Sequence, residues 1–237
     1  MRFEHLLAVL AVACASGISH PDFFPYKEPL LQGAFFDQFQ YEDLTSSGWT
    51  PSSLSKSDGA EYLGLWKIAE PYAFPGLIGD KGLVMNSTAS HYAILKKLPL
   101  IFKLSEGPLV LQYEVKPQQS LVCSGAYVKL ILGTEYELSF SDNTPYEIMF
   151  GPDRCHDSNR VHFIVRRKNP ISGKIEEKHM TRPPLARTGK VSTLYTLIFN
   201  GNGDYDVRIN GKSARLGNVL NDEEFSPSFT PSKFIPD

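Results

Sequence analysis

Apolar and polar residues alternate over several short stretches from residue 109 onwards. From Leu109 to Lys116 the odd positions are apolar and the later even positions are polar. Because successive side chains of a β-strand point to opposite faces, this alternation predicts a strand with one face in a core and the other near water. Similar stretches predict four more strands, at residues 125–132, 161–166, 194–199 and 205–209.

The segments between these strands are short and rich in turn-forming residues. Residues 200–203 are asparagine and glycine in alternation, and both tolerate positive φ, so they predict a hairpin between the last two strands. No long stretch has apolar residues at i, i+3, i+4 and i+7, the spacing of an amphipathic helix. We therefore expect an all-β protein, most simply a sandwich of two antiparallel sheets.

The beginning of the chain predicts a secretory signal peptide. Arg2 supplies a positive charge, residues 6–13 are all apolar, and the small residues Ala13 and Ala15 fit a cleavage site. We expect residues 1–15 to be removed by cleavage after Ala15. The alternative is a buried helix, which the absence of a polar face disfavours.

The remaining domain boundaries follow from changes in composition. Residues 16–34 contain three prolines and predict an irregular segment, while residues 225–237 are rich in proline, lack alternation and are typical of a linker. One domain at residues 35–224 lies between them. The 237 residues carry 24 positive and 26 negative charges, so nothing favours nucleic acid or an anionic membrane as the main partner.

Cysteine content predicts one disulfide. Cys14 leaves with the signal peptide, so Cys123 and Cys155 remain in an oxidising compartment, where such a pair usually forms a bridge. Two free buried thiols are the alternative. A bridge would hold Tyr127 near Asp153, because the Cα atoms of bonded cysteines lie close together.

The sequence lacks the usual motifs of an enzyme. There is no GxSxG, HExxH or GxxxxGK[ST] motif, and no strand carries the pair of carboxylates that a glycosidase needs. We therefore predict a binding protein with no catalytic residue. Asn86 begins an Asn-Ser-Thr glycosylation acceptor sequence, and its occupancy is left open.

The residues around the two cysteines suit a sugar-binding surface. Tyr127 and Lys129 share one face of the predicted strand, where a ring can stack on a pyranose and an amine can bind its hydroxyls. The alternative is an ordinary solvated surface. Tyr146 and Met149 are three residues apart, so a bulge or a strand end must intervene if both belong to the same site.

Five stretches carry a resemblance to a known family, namely residues 123–130, 146–155, 162–164, 176–179 and 194–197. They resemble the calnexin/calreticulin family of lectin chaperones of the endoplasmic reticulum. The Lys168-Asn169-Pro170 stretch looks more like the calnexin branch. The resemblance begins near Phe35 and runs to the end of the chain.

The resemblance implies a concanavalin-like (legume-lectin-like) β-sandwich that binds monoglucosylated high-mannose N-glycans on newly synthesised glycoproteins. It implies a Cys123–Cys155 disulfide beside the sugar site and one structural Ca²⁺, for which Gln38 and Asp80 align with ligands. By motif position, the implied sugar contacts are Tyr127, Lys129, Tyr146, Met149, Asp153 and Glu177.

The family extends beyond the residues matched here. Its members continue into a proline-rich arm that recruits an oxidoreductase or isomerase, and then return to add a strand and a helix to the lectin domain. We therefore expect a fragment, an isoform or an incomplete gene model, lacking the closing C-terminal segment and with an incomplete calcium site. Membrane attachment is expected only through a segment absent here. The alternative function is a non-lectin holdase that binds unfolded chains.

Overall fold

The computed structural model describes residues 19–99, 101–133 and 140–228. The predicted signal peptide and most of the predicted linker lie outside these residues. The described part contains a short 3-10 turn, Thr45–Ser47, and strands that pair throughout. The strands are β1 Thr50–Pro51, β2 Trp66–Ala69, β3 Gly82–Met85, β4 Ile94–Leu95, β5 Leu109–Val115, β6 Ser124–Gly125, β7 Val128–Leu130, β8 Ile148–Cys155, β9 Ser158–Lys168, β10 Ile175–Met180, β11 Thr193–Phe199, β12 Asp204–Ile209, β13 Lys212–Asn218 and β14 Phe225–Ser226.

Two antiparallel sheets form the body of the domain. The first sheet has the order β14-β10-β9-β8, and β8 pairs on its other side with both β6 and β7. The second sheet has the order β13-β12-β11-β5. Two further ribbons, β1-β4 and β2-β3, accompany them, and the named strand pairs are all antiparallel. The predicted all-β antiparallel architecture is confirmed.

The core lies between the two sheets and is rich in aromatic rings. Phe163 of β9 is buried, and its ring centroid lies 5.4 Å from Phe199, 5.3 Å from Tyr205 and 5.6 Å from Phe225. These rings come from both sheets, and burying each one stabilises the fold by about 1.5–3 kcal/mol. The two sheets are therefore held together by the apolar faces of their strands, which pack against each other.

Strands with clear alternation were predicted correctly, and those without it were missed. The segment predicted from Leu109 is β5, and the later predictions lie within β9, β11 and β12. Strand β8 was missed because it contains Gly151-Pro152, and proline is rare inside a sheet. Strand β10 was missed because Lys178, a charged residue, takes a fully buried position in it.

The predicted strand at residues 125–132 is divided in the structure. Val128 and Leu130 lie in β7, but Leu132 lies outside the strand and is 63% exposed, so the predicted strand extends too far. The ladder is interrupted before β7 because Pro152, on the facing strand, has no backbone N–H to donate. The pairing still keeps one register, since Gly125 faces Asp153 and Val128 faces Phe150.

The predicted hairpin between β11 and β12 is present. Phe199 pairs with Tyr205, and the Asn200 N–H donates to the Asp204 carbonyl at 2.9 Å. Gly203 has a φ of 95°, a conformation that favours glycine. The turn residues therefore act as the sequence predicted.

The predicted start of the linker at Phe225 is too early. Phe225 and Ser226 form β14, which pairs with His179 and Met180 of β10, and the Phe225 side chain is 1% exposed. A two-residue strand is too short to show alternation, and the nearby prolines made the segment resemble a linker. The irregular segment predicted before residue 35 has one isolated bridge, between Asp22 and Ile78.

Within residues 19–99, 101–133 and 140–228, no helix is long and apolar enough to cross a bilayer.

We predict that Phe225→Ala lowers the free energy of unfolding by about 3–5 kcal/mol, the usual cost of removing a fully buried phenylalanine ring. Urea unfolding followed by tryptophan fluorescence measures this loss. The matched control is Phe24→Ala, because the Phe24 ring is 84% exposed. Its effect should stay within about 0.5 kcal/mol. A loss below about 1 kcal/mol for Phe225→Ala would show that β14 is not part of the core.

Candidate functional site

The predicted site lies on the outer face of the first sheet, away from the core. Lys129 of β7 pairs with Met149 of β8, and Met149 pairs with Ile164 of β9. Residues that face each other across antiparallel strands point to the same side of the sheet. These three side chains therefore form one row across the outer face.

Tyr127 lies on the same face, at the interruption between β6 and β7. The strand register places it beside Gly151, where a Cβ atom would lie 2.9 Å from the Tyr127 Cα and would collide with the Tyr113 hydroxyl. Gly151 also has a φ of 137°. Only glycine fits these demands, because any side chain would push the Tyr127 backbone away.

The Tyr113 hydroxyl fills the gap in the ladder from the core side. It donates a hydrogen bond to the Ala126 carbonyl at 2.8 Å and lies 3.1 Å from the Phe150 carbonyl. Burial raises the pKa of Tyr113, so the hydroxyl keeps its proton and remains a donor. A core side chain therefore secures the backbone that carries Tyr127.

The Tyr127 ring has a defined setting and an open face. It lies over Gly125, where a Cβ atom would meet ring carbons at 2.8 and 2.9 Å. It packs edge-to-face with His162 at 6.4 Å between centroids, and His162 Nε2 lies 3.0 Å from an Asp153 carboxylate oxygen. Tyr127 is 46% exposed. Burial, followed by the Asp153 charge, raises its pKa.

The predicted disulfide is present between Cys123 and Cys155. It adjoins the short β6 pairing, in which Ser124 faces Arg154. The bridge therefore joins the ribbon bearing Tyr127 to the strand bearing Asp153, as the sequence predicted.

Tyr146 reaches the site because it precedes β8 instead of lying within it. Lys129 Nζ sits 4.7 Å from the centroid of the Tyr146 ring, a cation–π contact. Because Tyr146 lies before the start of β8, its side chain can reach the same face as Met149 although the two residues are three positions apart. Burial lowers the pKa of Lys129, and the nearby Glu177 charge opposes that shift. Burial and then Glu177 raise the pKa of Tyr146.

Glu177 is placed by the hairpin between β9 and β10. The buried Asn169 side chain accepts hydrogen bonds from the Ile171 and Ser172 amides, and its own amide donates to Glu176 at 2.9 Å. This turn sets the register in which Glu177 faces Arg166. The six predicted sugar contacts thus meet on one face. Lys129, Met149 and Asp153 lie on β7 and β8, Tyr127 and Tyr146 directly precede these two strands, and Glu177 lies on β10.

A cavity of about 360 Å³ adjoins the Tyr146 end of this face. Its polar lining includes Asp142, Arg166 and Glu177, with Ile175 on one side. Asp142 was not predicted as a site residue. Its carboxylate accepts hydrogen bonds from the Ser57 amide at 2.9 Å and the Ser57 hydroxyl at 2.6 Å. These two residues lie 85 positions apart, so no local sequence signal joins them.

Two other residues near the face were also missed. Tyr62 is half-buried, and burial raises its pKa. A backbone hydrogen bond with Asp142 lowers that pKa, while the charges of Asp142 and Tyr127 raise it. His162 was not predicted as a site residue, but its Nε2 lies 3.0 Å from an Asp153 carboxylate oxygen and its ring packs against Tyr127. His162 of β9 faces Gly151 of β8. This pairing depends on the register between the two strands, which the alternation of apolar and polar residues does not reveal.

The two predicted calcium residues lie in neighbouring segments. The Gln40 side-chain amide, oriented to satisfy both of its groups, donates to the Gly79 carbonyl at 3.1 Å and accepts from the Lys81 amide at 3.1 Å. It thereby links the chain next to Gln38 with the turn containing Asp80. The Gln38 side chain itself bonds the backbone of Tyr26, which leaves its carbonyl as the candidate donor.

The surroundings of Asp80 disfavour its ionised carboxylate, and a bound cation would offset that cost. Burial raises its pKa, and the charges of Glu114 and Glu70 raise it further, while Lys116 opposes them. Glu70 also accepts a hydrogen bond from the Gly79 amide at 2.7 Å. Carboxylate and carbonyl oxygens are what a hard cation prefers, so the residues present fit Ca²⁺.

Asn86 is exposed directly after β3. Its backbone N–H donates to the Leu65 carbonyl at 2.8 Å, and Ser87 next to it is half-buried. The side chain is accessible to glycosylation, which remains a prediction.

The fold and the site define a concanavalin-like β-sandwich with a polar and aromatic patch on one outer face. The sequence model of the Calreticulin family matches residues 35–237, and the chain belongs to this family. The globular domain of T. cruzi calreticulin has a TM-score of 0.66 and 27% sequence identity, covering 80% of this chain and 66% of that chain.

Curated relatives are calnexins. The calnexin homolog of Aspergillus fumigatus is 44% identical over 227 residues, which cover 93% of this chain and 39% of that protein. The calnexin of Caenorhabditis briggsae is 38% identical over 241 residues, covering 95% of this chain and 38% of that protein. The chain thus spans about two-fifths of the length of these relatives.

We predict that Tyr113→Phe lowers the free energy of unfolding by about 1–2 kcal/mol, because the Ala126 carbonyl loses its donor. Chemical denaturation measures the loss. Hydrogen exchange should also rise at the amides around Tyr127. Tyr26→Phe, at a ring that is 52% exposed, is the control and should change stability by less than about 0.5 kcal/mol. Equal stabilities for the two variants would mean that the Tyr113 hydroxyl does not hold this strand.

Proposed function

We propose that the chain is the lectin part of a chaperone of the endoplasmic reticulum. It binds the terminal glucose of monoglucosylated high-mannose N-glycans and retains newly synthesised glycoproteins while they fold. Family membership supports this class of function. The observation that carries the specific proposal is the convergence of two aromatic rings, an amine, a thioether and two carboxylates on one outer sheet face.

Each group has a role that its setting supports. The exposed Tyr127 ring offers a flat apolar face for the CH groups of a pyranose. Lys129 is held against the Tyr146 ring, so its N–H groups are fixed in direction before a sugar arrives. Asp153 and Glu177 accept hydrogen bonds from sugar hydroxyls, and bonds to charged acceptors are stronger than neutral ones. Met149 lies between them as the apolar floor.

The proposed activity is binding without turnover, so these residues have no catalytic role. Retention depends on the equilibrium between free and bound glycan. In the proposal, the glycoprotein client is the direct partner, and an oxidoreductase or isomerase is recruited by a proline-rich arm of the whole protein.

We also propose that Ca²⁺ binds at Asp80 and the Gln38 carbonyl and stabilises the domain. The support is the electrostatic setting of Asp80. An acid whose pKa is raised in the folded state binds its proton more tightly there than in the unfolded chain. Its ionised form therefore destabilises the fold once the pH exceeds the unfolded pKa, and a bound cation would remove that penalty.

We predict that Tyr127→Ala weakens binding of a monoglucosylated oligomannose at least about tenfold, a loss of about 1.4 kcal/mol. The melting temperature should change little, because the ring is half-exposed. Isothermal titration calorimetry with calcium present measures the affinity. Tyr72→Ala, at a ring that is 70% exposed on another part of the domain, should leave affinity unchanged.

The same experiment separates the lectin from a holdase. A holdase would suppress aggregation of a non-glycosylated client equally well before and after Tyr127→Ala, and it would show no sugar binding. That outcome in the full-length protein would contradict the lectin proposal. A large fall in melting temperature for Tyr127→Ala would instead assign the ring a structural role.

We predict that Asp80→Asn lowers the melting temperature when calcium is present but does not lower it when calcium is removed. With millimolar Ca²⁺ the variant should melt below the wild type, because it loses the binding stabilisation of about 2.7 kcal/mol expected at a hundredfold excess over Kd. With a chelator it should melt at or above the wild type, because the repulsion from Glu114 and Glu70 is gone. Differential scanning calorimetry measures both. Identical melting of the wild type with calcium and with chelator would refute this site.

A further inference from the structure

The turn between β8 and β9 places a histidine against the disulfide. Cys155 pairs with Ser158, so His156 and Asp157 form a two-residue hairpin between the strands. His156 has a φ of 51°, in the left-handed region that non-glycine residues adopt uncommonly. Its Nδ1 atom lies 3.2 Å from Cys155 Sγ. The turn therefore places the imidazole in contact with one sulfur atom of the bridge.

The bridge is also accessible from the other side. Cys123 and His156 are exposed and Cys155 is half-buried. Ligand atoms of these three residues lie within 4.8 Å of one another. The bonded sulfur atoms are not thiolates, so this cluster is not a metal site in the oxidised protein. It does combine an approachable sulfur with an imidazole nitrogen within hydrogen-bond distance of the opposite sulfur.

We propose that the Cys123–Cys155 bridge is a site of thiol–disulfide exchange in which His156 assists the departure of the Cys155 thiolate. The co-substrate is a small thiol or a dithiol. Its thiolate attacks Cys123 Sγ and forms a new S–S bond there. The bond between the two protein sulfurs breaks, and its electron pair goes to Cys155 Sγ, where the His156 Nδ1–H donates to the developing charge.

The second step completes the electron balance. The remaining thiol of a dithiol, as its thiolate, attacks the mixed disulfide and releases Cys123. The protein gains two electrons and two protons, and the dithiol becomes a disulfide. The function of His156 is to stabilise the leaving group, because a thiolate that is better stabilised departs faster.

The exchange acts on the edge of the sheet that carries Tyr127. Beyond the bridge, the pairing of β6 consists of two residues, and the next contact is the Ala126 N–H bond to the Pro152 carbonyl at 2.9 Å. Opening the bridge therefore removes the covalent tie of this ribbon to β8. The exchange itself does not depend on sugar binding, so it can be tested separately.

The test is the rate of reduction of the oxidised, folded chain by excess dithiothreitol at neutral pH. Samples are alkylated at intervals, and mass spectrometry of the Cys123 and Cys155 peptides gives the reduced fraction. His156→Gly accommodates the positive φ and lacks the ring. It should react at least about threefold more slowly, because a leaving thiolate that is less well stabilised departs more slowly. His156→Asn, which also tolerates this φ, should be slowed similarly.

Two controls make the result specific to the folded geometry. Asp157→Asn changes the same turn but keeps the imidazole, and it should not be slowed. In concentrated guanidinium chloride, the wild type and His156→Gly should react at equal rates, because the imidazole no longer sits on the sulfur. Equal rates in the folded proteins, or the same slowing in denaturant, would overturn the proposal. Circular dichroism melting confirms that each variant is folded.

Discussion

The contact between the Tyr113 hydroxyl and the backbone at Gly151 is the constraint on which the outer face depends. Gly151 and Pro152 of β8 interrupt its pairing with the segment that carries β6 and β7, and the hydroxyl reaches from the core to bond the Ala126 carbonyl at 2.8 Å. A larger residue than glycine would block that reach and displace Tyr127. Core packing and the exposed ring are therefore parts of one arrangement.

The other elements of the site are fixed to this arrangement by different means. The disulfide holds the start of the ribbon, the Asn169 turn sets the register of Glu177, and the Tyr146 ring holds Lys129. Each of these supports is a contact between groups of the chain itself. Groups that are already held in place lose less conformational entropy when a ligand binds.

Local sequence pattern predicted the parts of the fold that local physics determines. The alternation from Leu109 and the turn ending at Gly203 were sufficient, since each depends on neighbouring residues. The Tyr113 contact and the Ser57–Asp142 hydrogen bonds join distant residues, so no periodicity shows them. Family resemblance gave the six candidate contacts, and the structure adds their common face, while their binding of sugar stays a prediction. Phe225 was misassigned because its burial comes from tertiary packing alone.

The most direct test of the central claim is an NMR titration of the ¹⁵N-labelled protein with a glucose-terminated oligomannose, in the presence of calcium. Binding at the outer face of the first sheet should shift the amide signals of β7, of β8 near Met149 and of β10 near Glu177. The signals of β12 and β13, at the far edge of the second sheet, should stay in place. Shifts confined to the second sheet, or none at saturating sugar, would contradict the account.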